Sequence, residues 1–188
     1  SKMAKSEENF LTLRTLQNPP YTNFDTMFYR YLLLTSHYRT PLTLSFEALA
    51  AAGTAYLKLF GRLCESTKNR QGGVNQNYKE EFEKSTSDDL NTPNAIAVLQ
   101  NLSHDQKIPI EDRQETAIHF DKILGLRLAE KIGDMTNIPS VIRNQVDLRE
   151  KMRESGYFGE ADKVRDGLTK KGYEILDTDT GPLIRKIV

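Results

Sequence analysis

The sequence predicts a mainly α-helical protein: an antiparallel helical bundle followed by a small α+β module of two helices and a C-terminal β-hairpin. Three observations lead there. Apolar residues recur at three- and four-residue spacing through FEALAAAGTAYLKLFGRLCES, NAIAVLQNL and AIHFDKIL. Glycine and proline fall between these runs rather than inside them, with Gly53 and Gly61 as exceptions. Strand-forming residues come together only after Gly172, where DTDTG separates YEIL from LIRKIV.

The elements follow in order. Residues 1–24 read as a loop, short turns and a linker, since Asn18-Pro19-Pro20 cannot continue a helix. Asp25 is a good N-cap for a helix carrying Phe28, Tyr31, Leu32 and Leu34, which Thr40-Pro41 ends. Ser45 caps the next helix, with Leu49, Ala52, Tyr56, Leu59 or Phe60, and Leu63 inward. An exposed loop over 66–77 gives way to a short helix around Tyr78 and Phe82. Thr92 is the expected cap of the next helix, Pro93 suits its first turn, and Ile96, Leu99 and Leu102 face inward. A helix from Ile110 to Leu124 buries Ala117, Phe120 and Leu124, and Gly125 closes it in the left-handed conformation.

The texture changes after Gly133, so a boundary is expected between 133 and 134. Asn137-Ile138-Pro139 opens a helix with Ile142, Val146, Arg149 and Met152 in register, and the stretch from Gly156 to Gly159 breaks it. A helix over 160–171 carries Ala161, Val164 and Leu168 on one face. The hairpin then turns through 177–181, with Pro182 at a strand start or edge.

Composition narrows the function. Lys plus Arg and Asp plus Glu both number 26, so any RNA contact must come from local patches rather than a global positive charge. The lone Cys64 cannot form an intrachain disulfide, which fits a reducing cytoplasm, and it reads as a small buried hydrophobe. His37, His104 and His119 are far apart with no ligand-spaced neighbours, so no metal site is expected. No apolar run is long enough to span a bilayer, and the first residues do not form a signal peptide.

Four stretches carry candidate chemistry. Lys2-Met3-Ala4-Lys5-Ser6 suits a loop that lays ammonium groups on a polyphosphate. His37-Tyr38-Arg39 can touch an RNA backbone or pin the following turn, and pinning is the favoured reading. Asp88, Asp89 and Asn91 invite a metal, yet their pattern before Thr92-Pro93 is what a helix N-terminus needs, so capping is expected. Cations including Arg143, Arg149, Arg153, Lys163, Arg165 and Arg185 crowd the last fifty residues, nearly balanced by acids that can accept from base amino groups.

Taken in order, these segments resemble the C-terminal part of cysteinyl-tRNA synthetase, a class I aminoacyl-tRNA synthetase. Lys2 to Ser6, followed by NFLTLR, resembles the family's KMSKS loop; RYLLLTSHYRTPL is similar to its RYFLLSSHYRSPL. Asp88-Asp89-Leu90-Asn91-Thr92-Pro93 matches its DDLNTP, and Ala161-Asp162-Lys163-Val164-Arg165-Asp166 with Leu168 resembles its ADxIRDxL. The resemblance implies an enzyme that activates cysteine with ATP and charges tRNA(Cys). It implies that 25–133 is a DALR-type bundle and that 134–188 binds the anticodon loop. Lys2 and Lys5 become catalytic residues, with Lys5 on the ATP phosphates, and Ala4 removes a hydroxyl but neither cation. Arg165, Asp166, Asp177 and Thr178 become candidate tRNA contacts.

The nucleotide-binding fold, the HIGH motif and the zinc site of the family lie upstream of that loop. None is in this sequence, so an inactive C-terminal fragment is expected, with no cofactor of its own. Two other readings stay open: a fragment of the ligase joining cysteine to an amino sugar, and a stand-alone RNA-binding or interaction module derived from a synthetase. One departure stands out. The family often ends in GTxWR, whereas here Gly181-Pro182-Leu183-Ile184-Arg185 follows the turn and the chain has no tryptophan. Either stacking on a base falls to Tyr157, Phe158 or Tyr173, or the base is held by hydrogen bonds alone.

Overall fold

The computed structural model describes residues 26–64, 72–136, 138–178 and 181–186. The KMAKS loop, the linker and Asp25 lie outside them, as do Glu65 and residues 66–71 of the expected loop. In the described residues eight helices precede one antiparallel hairpin: α1 (Thr26–Leu34), α2 (Phe46–Leu63), α3 (Gln76–Ser87), α4 (Thr92–His104), α5 (Ile110–Leu124), α6 (Leu128–Thr136), α7 (Ser140–Glu154), α8 (Phe158–Lys170), β1 (Tyr173–Thr178) and β2 (Gly181–Lys186). The mainly α architecture with a terminal hairpin is the one expected.

The bundle forms around α2, whose apolar stripe Leu49, Ala52, Tyr56, Leu59, Phe60 and Leu63 is buried. Ser45 caps it, accepting from the Ala48 N–H. Tyr56 stands at the crossing of helices: Phe28, Tyr31 and Phe60 meet its ring edge-on, and its hydroxyl donates to the Leu126 carbonyl at 2.8 Å. Gly53 lets α1 approach, since a Cβ there would lie 2.6 Å from Cδ2 of the buried Phe28. Phe82 of α3 stacks on Phe120 of α5 with ring centroids 4.0 Å apart.

Several boundaries differ from expectation for local reasons. Helix α1 stops at Leu34, short of Arg39, because the Thr35 hydroxyl donates back to the Leu32 carbonyl and the chain turns. Helix α3 is a full twelve residues from an Asn75 cap. Helix α4 is capped by Asn91, which accepts from the Asn94 N–H, so Thr92 is its first residue rather than its cap. Helix α8 starts at Phe158, two residues early.

Helix α6 is the element absent from the sequence reading, and it runs through residues 133 and 134. Its start carries no local cap. Asp121, back in α5, supplies one: its carboxylate accepts from the Leu126 and Leu128 N–H groups. The corner between the helices is held from α1 as well, where Arg30 Nε donates to the Leu124 carbonyl at 2.7 Å. Gly125, at φ +62°, adopts the left-handed conformation without strain and leaves room for that guanidinium, whose Nη2 would lie 2.8 Å from a Cβ there.

A second apolar cluster lies C-terminal to the first: Ile138, Ile142, Val146, Leu168 and Ile175, with Val164, Tyr173 and Ile184 packed against it. The hairpin register pairs Ile175 with Ile184 and Asp177 with Pro182. Leu176, on the opposite face of β1, packs against the bundle core instead.

Candidate nucleic-acid interface

One end of the C-terminal region gathers the end of α7, the α7–α8 corner and the end of β1. The corner is a Schellman motif. The Gly156 N–H donates to the Arg153 carbonyl and the Tyr157 N–H to the Met152 carbonyl, with Gly156 at φ +80°. In such a motif the residue after the glycine usually folds onto the helix. Tyr157 instead is 66% exposed and the adjacent Phe158 62%. Two neighbouring aromatic rings in water form a surface on which bases can stack. Tyr173, the third candidate stacker, is half-buried against the apolar cluster and is not such a platform.

Behind this edge lies an ion-pair cluster. Arg149 continues the buried stripe of Ile142 and Val146, and its side chain is 2% exposed. Its guanidinium grips both oxygens of Asp177, Nη1 to Oδ1 at 2.8 Å and Nη2 to Oδ2 at 3.0 Å. A third donor reaches Asp177 from Arg153, whose Nη1 lies 2.8 Å from Oδ1. Glu150 receives a hydrogen bond from Arg149 as well. These bonds, those from Arg149 foremost, hold the Asp177 carboxyl below the usual carboxylate range, against the opposing effect of partial burial.

The sequence-predicted residues thus fall in two places. Asp177 is at the edge, fixed by arginines rather than standing free. Thr178 ends β1 opposite Gly181, its side chain outside the described set. Arg165 and Asp166 are exposed on α8, seven and eight residues after Phe158 and so on the same helix face, with no ion pair joining them. Arg149, counted among the cations of the last fifty residues and in register with Ile142 and Val146, is interior. The partnership of Arg149 and Arg153 with Asp177 was not predicted. An arginine on an otherwise apolar stripe was its signal, because a buried guanidinium requires an acid.

The other candidate clusters resolve as structural devices. Asp89 accepts from the Tyr38 hydroxyl at 2.8 Å and from Arg39 Nη2 at 3.1 Å. His37 stacks on Tyr38, and Arg39 sits over the same ring. The cluster pins the α1–α2 connection to the α3–α4 turn, where Asp89 and Leu90 both have positive φ. Among the described residues no group of three or more acids, histidines and cysteines could hold a metal ion, and no helix is long and apolar enough to cross a membrane. Burial pushes the Cys64 thiol up to about 12, leaving it protonated at neutral pH.

Comparison with known proteins places the chain among aminoacyl-tRNA synthetases. Cysteine–tRNA ligase 1 of Burkholderia lata is 34% identical over 181 residues, covering 96% of this chain and 37% of its own length. The cysteine–tRNA ligases of Borrelia garinii subsp. bavariensis and Chlorobaculum tepidum are 29% and 32% identical, covering 99% and 96% of this chain. The chain belongs to the cysteine–tRNA ligase family and matches the C-terminal part of the enzyme. It spans about 40% of the length of these relatives. No protein-family model matches it.

Proposed function

We propose that this chain is the tRNA-binding C-terminal part of a cysteine–tRNA ligase, and that its small module grips the anticodon loop. The observation that carries the reading is the exposed Tyr157-Phe158 pair at the corner that follows Arg153, itself paired with Asp177, in a chain matched almost throughout by cysteine–tRNA ligases. Loop bases are unstacked, so a protein that reads them needs aromatic faces and hydrogen-bonding groups at fixed positions. Tyr157 and Phe158 supply the faces. Among the described residues Asp177 Oδ2 receives one donor, from Arg149, which leaves lone-pair capacity to accept from a base amino group. Arg165 and Asp166 extend the surface along α8.

In this reading the chain divides near residue 133 into three parts: 1–24 remaining from the catalytic domain, the bundle 25–133, and the anticodon module 134–188. The intact enzyme activates cysteine with ATP and transfers it to tRNA(Cys) in the cytoplasm. Lys2 and Lys5, outside the described residues, would meet the ATP phosphates there, with zinc held in the upstream part. The 188 residues alone bind without catalysing.

The test is titration of the chain, at fixed salt, with an RNA hairpin carrying a GCA loop and with one of altered loop. Tyr157→Ala or Phe158→Ala is expected to weaken GCA binding by about 1–3 kcal/mol, the worth of one stacked base. Equal affinity for both hairpins contradicts the reading.

A further inference from the structure

Arg149 is too deeply buried to touch RNA, yet it ends in the cluster that the RNA-facing edge contains. A methionine or leucine continuing the stripe of Ile142 and Val146 would fill the same space without the cost of desolvating a guanidinium, and such replacements are often neutral or stabilising. What an apolar side chain cannot do is fix a carboxylate in orientation. The Arg149 fork holds both oxygens of Asp177, and Asp177 Oδ1 in turn holds Arg153, whose side chain is 36% exposed. The three residues therefore form a relay from the module's core to its surface.

We propose that Arg149 is a positioning residue: through Asp177 it sets the Arg153 guanidinium at the module's edge, where that group meets a phosphate or base edge of a single-stranded loop. The inference rests on the anticodon-loop reading above for its ligand, though the relay itself is a property of the free protein. Lysine would keep the charge but not the fork, since an ammonium is a point donor that cannot span two oxygens in a plane. Loss of the fork frees Asp177 to rotate, and Arg153 loses its close acceptor at 2.8 Å, keeping the longer pairing to Glu150 at 3.9 Å.

The experiment compares wild type with Arg149→Lys, Asp177→Asn and Arg153→Ala, each alone, and with the double variant Arg149→Lys/Arg153→Ala. Two readouts are taken, well below the melting temperature. In the free protein, side-chain nitrogen relaxation at Arg153 Nε is expected to change from ordered in wild type to an order parameter below about 0.6 in Arg149→Lys and Asp177→Asn. With the GCA-loop hairpin, Arg149→Lys is expected to bind about tenfold more weakly, and adding Arg153→Ala to it to cost little more. A merely structural Arg149 would lower the melting temperature, leave affinity unchanged and leave the Arg153→Ala effect undiminished in the double variant; that result overturns the proposal. If the wild-type chain shows no loop preference, the anticodon reading fails, and Arg153 order alone decides: an Arg153 that stays ordered in both variants overturns the relay. Asp177→Asn guards against a misfolded Arg149→Lys, because it weakens the relay from the hairpin side and leaves every residue of the α7 stripe in place.

Discussion

The bundle and the C-terminal module are stabilised by different means. Among the described residues, twenty-one buried apolar side chains form the bundle core, against five in the module. The bundle is held mainly by apolar contact between helices, with a few interhelical polar bonds such as Gln100 to the Tyr31 hydroxyl. The module, at roughly 50 residues, is below the size at which a core alone suffices. It is completed by the Arg149–Asp177–Arg153 cluster and by Leu176, which packs into the bundle. Among the described residues the bundle buries one cation of this kind, Arg113, which donates to the Ser103 carbonyl at 2.9 Å, whereas the module's buried Arg149 is held by carboxylates that reach its surface. In the proposed function the bundle is the scaffold and the module the reader.

Substitutions can break this comparison. Phe120→Ala removes the ring stacked on Phe82 at the centre of the bundle and is expected to cost about 3–5 kcal/mol, read by chemical denaturation. Leu168→Ala, in the module core, is expected to cost about 2–5 kcal/mol, but locally. Amide exchange should rise across 138–186 while α2, α4 and α5 keep their protection. Loss of protection in both regions together would show that they unfold as one unit. Gly53→Ala sets an overpacking cost of about 1–3 kcal/mol against a helix-propensity gain of about 1, so a small net loss of stability is expected from the clash with Phe28.

Acid should act on the module first. The folded-state pKa of Asp177 is depressed, so its contribution is fully present above the ordinary carboxylate range and is lost as pH falls through the folded value. Asp177→Asn should therefore be less stable than wild type at neutral pH, and the gap should close as pH falls below the ordinary carboxylate range. A gap independent of pH would show that the Arg149 pairing contributes nothing to folding. The carboxylate is 42% exposed, so the effect should be the smallest of the set and weaken with salt.

How legible each region was in the sequence follows the same division. Helices α2, α4 and α5 were readable because their apolar stripes and their termini, Ser45, Pro93 and Gly125, are local. Helix α6 was not, because its cap comes from Asp121, five to seven residues upstream. In the module, the hairpin was readable from its turn residues, and Asp177 was singled out. Its partners were not, because an ion pair spanning 28 residues leaves no periodic trace. Nor did the sequence distinguish Tyr173 from Tyr157 and Phe158. All three are aromatic residues near glycines, and packing alone makes one part of the core and leaves two exposed.

The central claim, that the module reads an RNA loop which the bundle only supports, is tested most directly by chemical-shift mapping. The isotope-labelled 188-residue chain is titrated with the GCA-loop hairpin. The account predicts that the largest shifts fall on Arg153, Tyr157, Phe158 and Asp177 and extend along α8 to Arg165 and Asp166. Shifts concentrated on α2 to α5, with the module unmoved, would contradict it.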